Sequence, residues 1–290
     1  MPPGSIQVER LPDAPAFLDV AGPYLERREA EHNLLFGIAA NLIRDPDRPM
    51  TGPPLFATVR RDGEVIAAAL MTPPFNVVLS WTDDPDAITA LAGELARSRV
   101  PIPGITAPPE MARAFADAWA RLNGGIAHRT MAERIYRLEH VTPPPNVPGS
   151  LRIADEGDRE LLRSWTHAFL VEALGRPDEH EARDVVDGAL RTGTRTFYLW
   201  EYERRAVSMA GVTGPTPHGI RVGPVYTPPA DRGHGFASAV TAAASQAQLD
   251  QGRRFVFLFT DLDNPTSNKI YQAIGYEPVI DIDQWSFEPD

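Results

Sequence analysis

A glycine-rich segment that follows a predicted strand is the part of the sequence best suited to binding an anion. The strand predicted over residues 220–226 leads to Gly233 and Gly235, and an alanine-rich helix is predicted over residues 238–251. The first backbone amides of a helix lack partners within it, and the helix dipole adds partial positive charge there. Because glycine lets a ligand approach the backbone closely, the segment predicts a phosphate site. The alternative is a tight strand–helix turn that binds nothing.

Two common phosphate motifs do not fit this segment. A P-loop requires Gly-Lys followed by Ser or Thr, and the sequence contains no such run. The dinucleotide pattern G-x-G-x-x-G would need a third glycine where Ser238 stands. The segment therefore predicts a phosphate ligand of another kind.

A second polar motif lies about 30 residues further on, in a helix predicted over residues 265–274. Asn264, Ser267 and Tyr271 are spaced by three and four residues, so they lie along one helix face. Asn264 is placed to cap the helix, and Gly275 is placed to end it. The alternative interpretation gives Asn264 only a capping role and Tyr271 only a place in the core.

The two motifs together resemble those of the GCN5-related N-acetyltransferase (GNAT) superfamily. Arg232, Gly235 and Ala237 fit its pattern Gln/Arg-x-x-Gly-x-Gly/Ala, and the second motif fits Asn-x-x-Ala/Ser-x-x-x-Tyr-x-x-x-Gly-Phe/Tyr. The resemblance covers residues 151–290, and it extends to residues 1–142 only through the order of predicted elements.

The resemblance implies that acetyl-CoA binds as co-substrate between two splayed parallel strands, here residues 220–226 and 255–260. An amine would attack the thioester directly, without a metal, and Tyr271 would be the general acid for the leaving thiolate. A phenol with a pKa near 10 can donate a proton as the sulfur departs. The residues expected to contact the cofactor are Val225, Tyr226, Thr227, Arg232, Gly233, His234, Gly235, Phe236, Ala237, Ser238, Asn264 and Ser267.

The general base is not assigned by the sequence. The family often places a Glu on the strand before the loop, but residues 219–226 contain no acid. Glu172, His167, His218 and Glu201 are conceivable bases, and each is also an ordinary surface or helix residue.

A repeated pattern divides the chain into two halves. Apolar runs flank Asp62-Gly63 in the first half, and a similar hairpin spans residues 197–212 in the second. The predicted fold class is α/β (an α+β mixed sheet), with two tandem acetyltransferase-like domains, each a mixed central sheet flanked by helices. The expected boundaries are residues 1–142, a proline-rich linker at 143–150, and a catalytic domain at 151–290. Two unrelated hairpins are the alternative to a duplication.

The first half lacks the glycine-rich loop. Residues 80–86 stand in its place and include Asp83, Asp84 and Asp86, which would repel a pyrophosphate. We therefore expect a degenerate acetyltransferase-like half that closes one side of the acceptor cleft or forms a subunit contact.

Composition narrows the remaining function classes. The 290 residues contain no cysteine, which excludes disulfides and cysteine nucleophiles, and the net charge of −11 disfavours nucleic-acid binding. No apolar stretch reaches the ~20 residues of a membrane span, so we expect a cytoplasmic protein. The use of Lys269 as the single lysine indicates a GC-rich bacterial genome.

The sequence thus favours an N-acetyltransferase that acts on a small-molecule primary amine, as a monomer or homodimer. A non-catalytic acyl-CoA sensor is the alternative, favoured by the missing acid on the strand before the loop. A purely structural interaction protein is a third class, and it would not need an intact loop.

Overall fold

The computed structural model of the chain describes residues 4–98, 100–175 and 177–288. In the first half the elements are β1 (Ile6–Leu11), α1 (Ala14–Leu25), α2 (Asn33–Arg44), β2 (Leu55–Arg61), β3 (Glu64–Met71), β4 (Val77–Leu79), α3 (Pro85–Arg97), β5 (Gly104–Ala107), α4 (Pro109–Asn123) and β6 (Ile126–Leu138). In the second half they are β7 (Ser150–Ile153), α5 (Arg159–Leu174), α6 (Glu179–Thr192), β8 (Arg195–Tyr202), β9 (Arg205–Thr213), β10 (Gly219–Tyr226), α7 (Phe236–Asp250), β11 (Phe255–Asp261), α8 (Pro265–Ala273) and β12 (Glu277–Glu288). The two halves repeat one order of strands and helices, as the sequence predicted.

The strands form one continuous twelve-stranded mixed sheet in the order β1-β2-β3-β4-β5-β12-β6-β11-β10-β9-β8-β7. The last strand of each half lies in the sheet of the other half. β6 pairs with β11, and β12 pairs with β5, while β6 and β12 pair with each other along the centre. Each half therefore depends on the other to complete its sheet.

The structure differs from the expectations of the sequence in three respects. The predicted mixed α/β class is confirmed, but the two halves share one sheet instead of having a sheet each. The chain end forms a single strand, β12, whereas its sequence pattern predicts two closing strands, over residues 276–282 and 284–287. Ser150, assigned to the linker, is the first residue of β7. These features arise from pairing between distant segments, which local patterns do not encode.

Helices cover both faces of the sheet in each half. α1 and α2 pack on one face of the first half, and α3 and α4 pack on the other, each pair over its own hydrophobic cluster. In the second half, α5 and α6 share a cluster with β8 and β9, whereas α7 contributes to a cluster with β10 and β11 on the other face. No helix among the described residues is long and apolar enough to span a membrane.

The first half lies directly on the α5–α6 face of the second half. Asn41 of α2 donates its side-chain N–H to the hydroxyl of Thr213 on β9, at 3.0 Å. The backbones approach so closely that a Cβ on Gly37 would lie 2.8 Å from the Cα of Gly214. Glu29 accepts hydrogen bonds from the backbone N–H and the ring of His218. The first half thus forms one wall of any binding site on this face of the second half.

Candidate functional site

A cleft opens in the sheet between β10 and β11. The two parallel strands pair from Gly219 opposite Phe255 to Arg221 opposite Phe257, and no pairing continues beyond. Directly after Arg221, β10 shifts its register against β9 between Val222 and Val225. The bulge turns the end of β10 away from β11, because a bulge bends its strand. The strands that the sequence predicted as splayed do diverge.

The glycine-rich loop lies at the end of β10 and leads into α7. Gly233 and Gly235 have φ angles of 82° and 81°, which L-residues with a side chain rarely adopt. Gly235 occupies the N-cap of α7, and no side chain caps this helix. Within the described part of the chain, the backbone amides of residues 233–238 have no acceptor. Six free amides around a helix N-terminus form a site for an anion.

The equivalent position in the first half is closed by a carboxylate. Asp84 is the N-cap of α3, and its side chain accepts from the backbone N–H of Asp86. Arg61 donates two hydrogen bonds to the same carboxylate, at 2.7 and 2.9 Å. These bonds hold the pKa of Asp84 below its usual value. The charged carboxylate occupies the helix end where a phosphate would have to bind.

Side chains around the loop of the second half fix its shape. Asp231 pairs with Arg205, and this ion pair lowers the pKa of Asp231. Arg232 turns back to donate to the carbonyl oxygen of Thr227 at 2.9 Å and to Glu172 at 2.5 Å. His234 stacks on Phe236 with ring centroids 5.5 Å apart. The guanidinium of Arg232 is therefore bonded within the protein, whereas the backbone amides of residues 233–238 have no acceptor among the described residues.

Val225, Tyr226 and Thr227, which the sequence predicts to contact the cofactor, lie at the end of β10 and directly after it. Ser208 donates to the carbonyl oxygen of Tyr226, and its hydroxyl also bonds to that of Thr227. The Tyr226 ring is buried against Trp165, so Tyr226 can offer a ligand little more than backbone. Val225 packs at the edge of the cluster beneath α7.

The second motif folds as predicted into a capped helix. Asn264 is the N-cap of α8 and accepts from the backbone N–H of Ser267 at 3.0 Å. Tyr271 packs against the cluster that contains Val222 of β10 and Leu258 of β11, the strands that diverge. Burial raises the pKa of Tyr271 to about 12. The hydroxyl of Tyr271 is therefore protonated at neutral pH.

The linker contacts the loop. Val147 lies so close to Gly235 that a Cβ on that residue would be 3.0 Å from Cγ2 of Val147. The carbonyl oxygen of Pro148 accepts from the indole N–H of Trp200 at 2.9 Å. The segment that the sequence identified as a spacer is thus packed against the second half.

The sheet face opposite α7 carries four ionisable side chains near the cleft, namely Arg195, Arg221, Asp261 and Glu133. Arg195 on β8 and Arg221 on β10 both lie opposite Thr213, which faces α2. The Arg221 guanidinium stacks over Phe259, and Asp261, on the same face of β11, pairs with Glu133 of β6. Arg195, Arg221, Asp261 and Glu133 therefore share this face, since paired residues of neighbouring strands point the same way.

Burial controls the charges of these groups. It raises the pKa of Glu133, whose carboxylate accepts from the side chain of Gln284 at 2.6 Å. It lowers the pKa values of Arg195 and Arg221 to about 10, and for Arg195 the neighbouring cations Arg221 and Arg48 lower it further. A carboxylate whose pKa is raised is a stronger base than an ordinary carboxylate, which suits it to accept a proton.

Glu133 was missed by the sequence analysis. The sequence pattern predicts a strand over residues 134–138 of the first half, whereas β6 begins at Ile126 and includes Glu133. Only the exchange of β6 brings Glu133 beside β11, so no local signal could have placed it there.

Three of the four conceivable bases already have partners. Glu172 pairs with Arg232, Glu201 with Arg152, and His218 with Glu29. The fourth, His167, has a buried Nδ1 with no hydrogen-bond partner among the described residues.

Comparison with known proteins supports the resemblance of the second half. Residues 159–276 match the model of the acetyltransferase (GNAT) family. A search of curated protein sequences gives no match to the chain.

Solved structures match over nearly the full length. A Drosophila protein superposes with a TM-score of 0.69 at 13% identity, covering 97% of this chain and 98% of its own. A tandem GNAT protein from the clavulanic acid biosynthesis pathway superposes with a TM-score of 0.57 at 16% identity, covering 99% of this chain and 100% of its own. A GCN5-related N-acetyltransferase from Kribbella flavida superposes with a TM-score of 0.58 at 14% identity, covering 90% of this chain and 96% of its own. At these identities the matches establish a shared tandem fold.

Proposed function

The second half of this chain belongs to the GNAT acetyltransferase superfamily, and from this premise we propose that the protein transfers the acetyl group of acetyl-CoA to a primary amine. The observation that carries the proposal is the uncapped glycine-rich start of α7, at the end of a strand that diverges from its parallel neighbour. An extended acyl-pantetheine arm fits beside strand edges whose backbone groups are unpaired, and a pyrophosphate fits the free amides.

Acetyl-CoA would bind along the end of β10. Backbone groups of Val225 and Thr227 would pair with the pantetheine arm, and the amides of residues 233–238 would hold the pyrophosphate. Asn264 and Ser267 would contact the arm from the start of α8. The acetyl group would then lie in the cleft, with Tyr271 on the α7–α8 face and the amine arriving from the opposite face.

The reaction needs one proton removed and one delivered. The amine nitrogen attacks the thioester carbonyl, the C–N bond forms, and the C–S bond breaks as the thiolate leaves. Glu133, acting through water, would accept the proton that the amine loses. Tyr271 would donate a hydrogen bond to the sulfur as negative charge develops on it, and the departing thiolate would take its proton from solvent.

One molecule of acetyl-CoA is expected to bind per chain. Calorimetric titration of the full-length protein should give a stoichiometry near one, because Asp84 occupies the start of α3 in the first half. Two equal sites would contradict the assignment. The isolated fragment of residues 146–290 is not a suitable substitute, since it lacks the strand β6 that borders β11.

Glu133→Gln is expected to lower kcat by about 100-fold, the lower end of typical acid–base contributions. Burial raises the pKa of Glu133, and a base acts only when deprotonated. The wild-type rate should therefore fall as the pH drops through this raised pKa, above the usual carboxyl range, and the variant should lose that dependence. Glu139→Gln, at a half-exposed carboxylate beside Arg137, is the matched control. An unchanged pH profile in Glu133→Gln would remove Glu133 from the mechanism.

The activity itself is tested by release of free CoA thiol from acetyl-CoA with a panel of amines. Turnover supports the transferase. Binding of acetyl-CoA without turnover of any amine supports the acyl-CoA sensor, which the acid-free β10 would suit. Absence of both would leave a structural role.

A further inference from the structure

A cavity of about 1300 Å³ separates the first half from α6 and the edge of the second sheet. Its lining includes Arg48, from the loop after α2, and Arg195, at the start of β8. It lies on the sheet face opposite α7, where the preceding proposal places the amine. Neither arginine pairs with a carboxylate among the described residues.

The cavity contains acids as well, but several of them are compensated. Asp45 lies 3.3 Å from Arg191, and Asp187 pairs with Arg159 and Arg163. The acidic side chains that line the cavity are Asp45, Asp178, Glu179, Glu181, Asp184 and Asp187. All except Asp45 come from α6 or its N-cap, whereas Arg48 and Arg195 come from the loop after α2 and from β8.

Arg195 reaches from its strand to the cleft. Its guanidinium donates to the carbonyl oxygen of Gly223 at 2.8 Å, in the bulge where β10 leaves β11. The side chain crosses Gly211, where a Cβ would be 3.2 Å from Nη1. Only one of the five N–H groups of Arg195 has an acceptor in the described part of the chain.

Arg221 adds a second unsatisfied cation to this face. Its Nη1 is buried and has no hydrogen-bond partner among the described residues. Arg221 does not line the cavity, however, and the carboxylate of Glu133 acts to raise its pKa, so Arg48 and Arg195 are the unpaired cations that an anion in the cavity could reach.

We propose that this cavity binds the acceptor through a carboxylate, which pairs with the guanidinium of Arg195 and the charge of Arg48, so that the substrate is an amino acid or a related amino carboxylate. The inference rests on the proposed function, because it names the substrate class of that site. Guanidinium groups bind planar carboxylates through two parallel hydrogen bonds. A carboxylate on Arg195 leaves an amine a few bonds away at the mouth of the cleft.

The test compares three series of compounds with full-length protein and acetyl-CoA: α-, β- and γ-amino acids, their carboxamides, and the amines that lack the carboxyl group. We expect at least one amino acid to show a kcat/KM about 10-fold or more above that of its amide. Arg195→Gln should lower kcat/KM for that acid by about 10- to 100-fold, mainly through KM, the range expected for hydrogen bonds to a charged group. It should change the rate with the amide by less than about 3-fold.

Two further variants separate recognition from folding. Arg48→Gln alters a loop residue without a paired carboxylate and should reduce the acid-to-amide ratio in the same direction. Arg113→Gln, at an exposed position on α4, should leave the ratio unchanged. A merely structural role of Arg195 would lower the rates for acid and amide together.

The outcomes distinguish this inference from the function on which it rests. Turnover of amides or decarboxylated amines as fast as amino acids overturns the carboxylate site and leaves the transferase intact. If no amine is acetylated, calorimetry with CoA present compares N-acetylamino acids with their amides. Binding of the acids alone, lost in Arg195→Gln, would sustain the carboxylate site, and equal or absent binding would overturn it.

Discussion

Ser238→Asp is expected to weaken CoA binding by about 100-fold or more without destabilising the protein. Ser238 lies in the first turn of α7, among the free amides. A carboxylate there is favourable to the helix because of the dipole, worth about 0.3–1 kcal/mol. The same carboxylate would repel a pyrophosphate: unit charges about 4 Å apart interact by roughly 4 kcal/mol near a protein surface. The CoA affinity measured by calorimetry should therefore fall, while the midpoint of thermal unfolding should not.

Ser238→Ala is the matched control, because the proposed contact uses the backbone amide and the helix keeps its start. CoA affinity should remain within a few-fold of the wild type. Gly235→Glu, which would also place a carboxylate in the loop, is less suitable. A side chain at Gly235 would distort the loop itself, because the φ angle there is 81° and Val147 lies close by. Wild-type affinity in a folded Ser238→Asp protein would show that phosphates do not bind at this helix.

The parts of the fold that the sequence predicted have short-range causes. Asn264 and Pro265 start α8, and Pro85 starts α3, because caps and prolines act within one helical turn. The glycine-rich loop was recognisable for the same reason, since its positive φ angles require glycine at particular positions. The second motif could be placed on a helix face from its spacing alone.

The parts that were missed depend on pairing between distant segments. Nothing within residues 126–138 indicates that this strand crosses to β11, 120 or so residues away, instead of remaining beside β5. The position of Glu133 follows from that exchange. Arg195 and Arg48 were also overlooked, because they are separated by nearly 150 residues and only the packing of α2 on the second half brings them to one cavity. Chemistry at this site is therefore divided between the halves, although the phosphate-binding motif belongs to one.

Tyr271→Phe is expected to lower kcat by about 100-fold while changing the affinity for acetyl-CoA by less than about 3-fold, because general acids typically contribute 10²–10⁴-fold to the rate. The ring remains in its cluster with the diverging strands, and only the hydroxyl is lost. Single-turnover experiments should measure the effect, so that product release does not conceal the chemical step. Because burial raises the pKa of Tyr271 to about 12, its ionisation should produce no loss of rate on the alkaline side of neutrality.

Tyr276→Phe provides the control within the same cluster. The two rings meet edge to face with centroids 6.1 Å apart, but the hydroxyl of Tyr276 is bonded to that of Ser245 at 2.8 Å. Loss of this buried bond should lower stability by about 1 kcal/mol and leave kcat unchanged. A thiol is a stronger acid than a phenol whose pKa is about 12, so Tyr271 would act by hydrogen bonding to the thiolate as negative charge develops. An acyl donor with a more acidic thiol needs less of this stabilisation, and the rate deficit of Tyr271→Phe should shrink with such a donor. A deficit that is independent of the leaving group would identify Tyr271 as a packing residue that does not contact the departing sulfur.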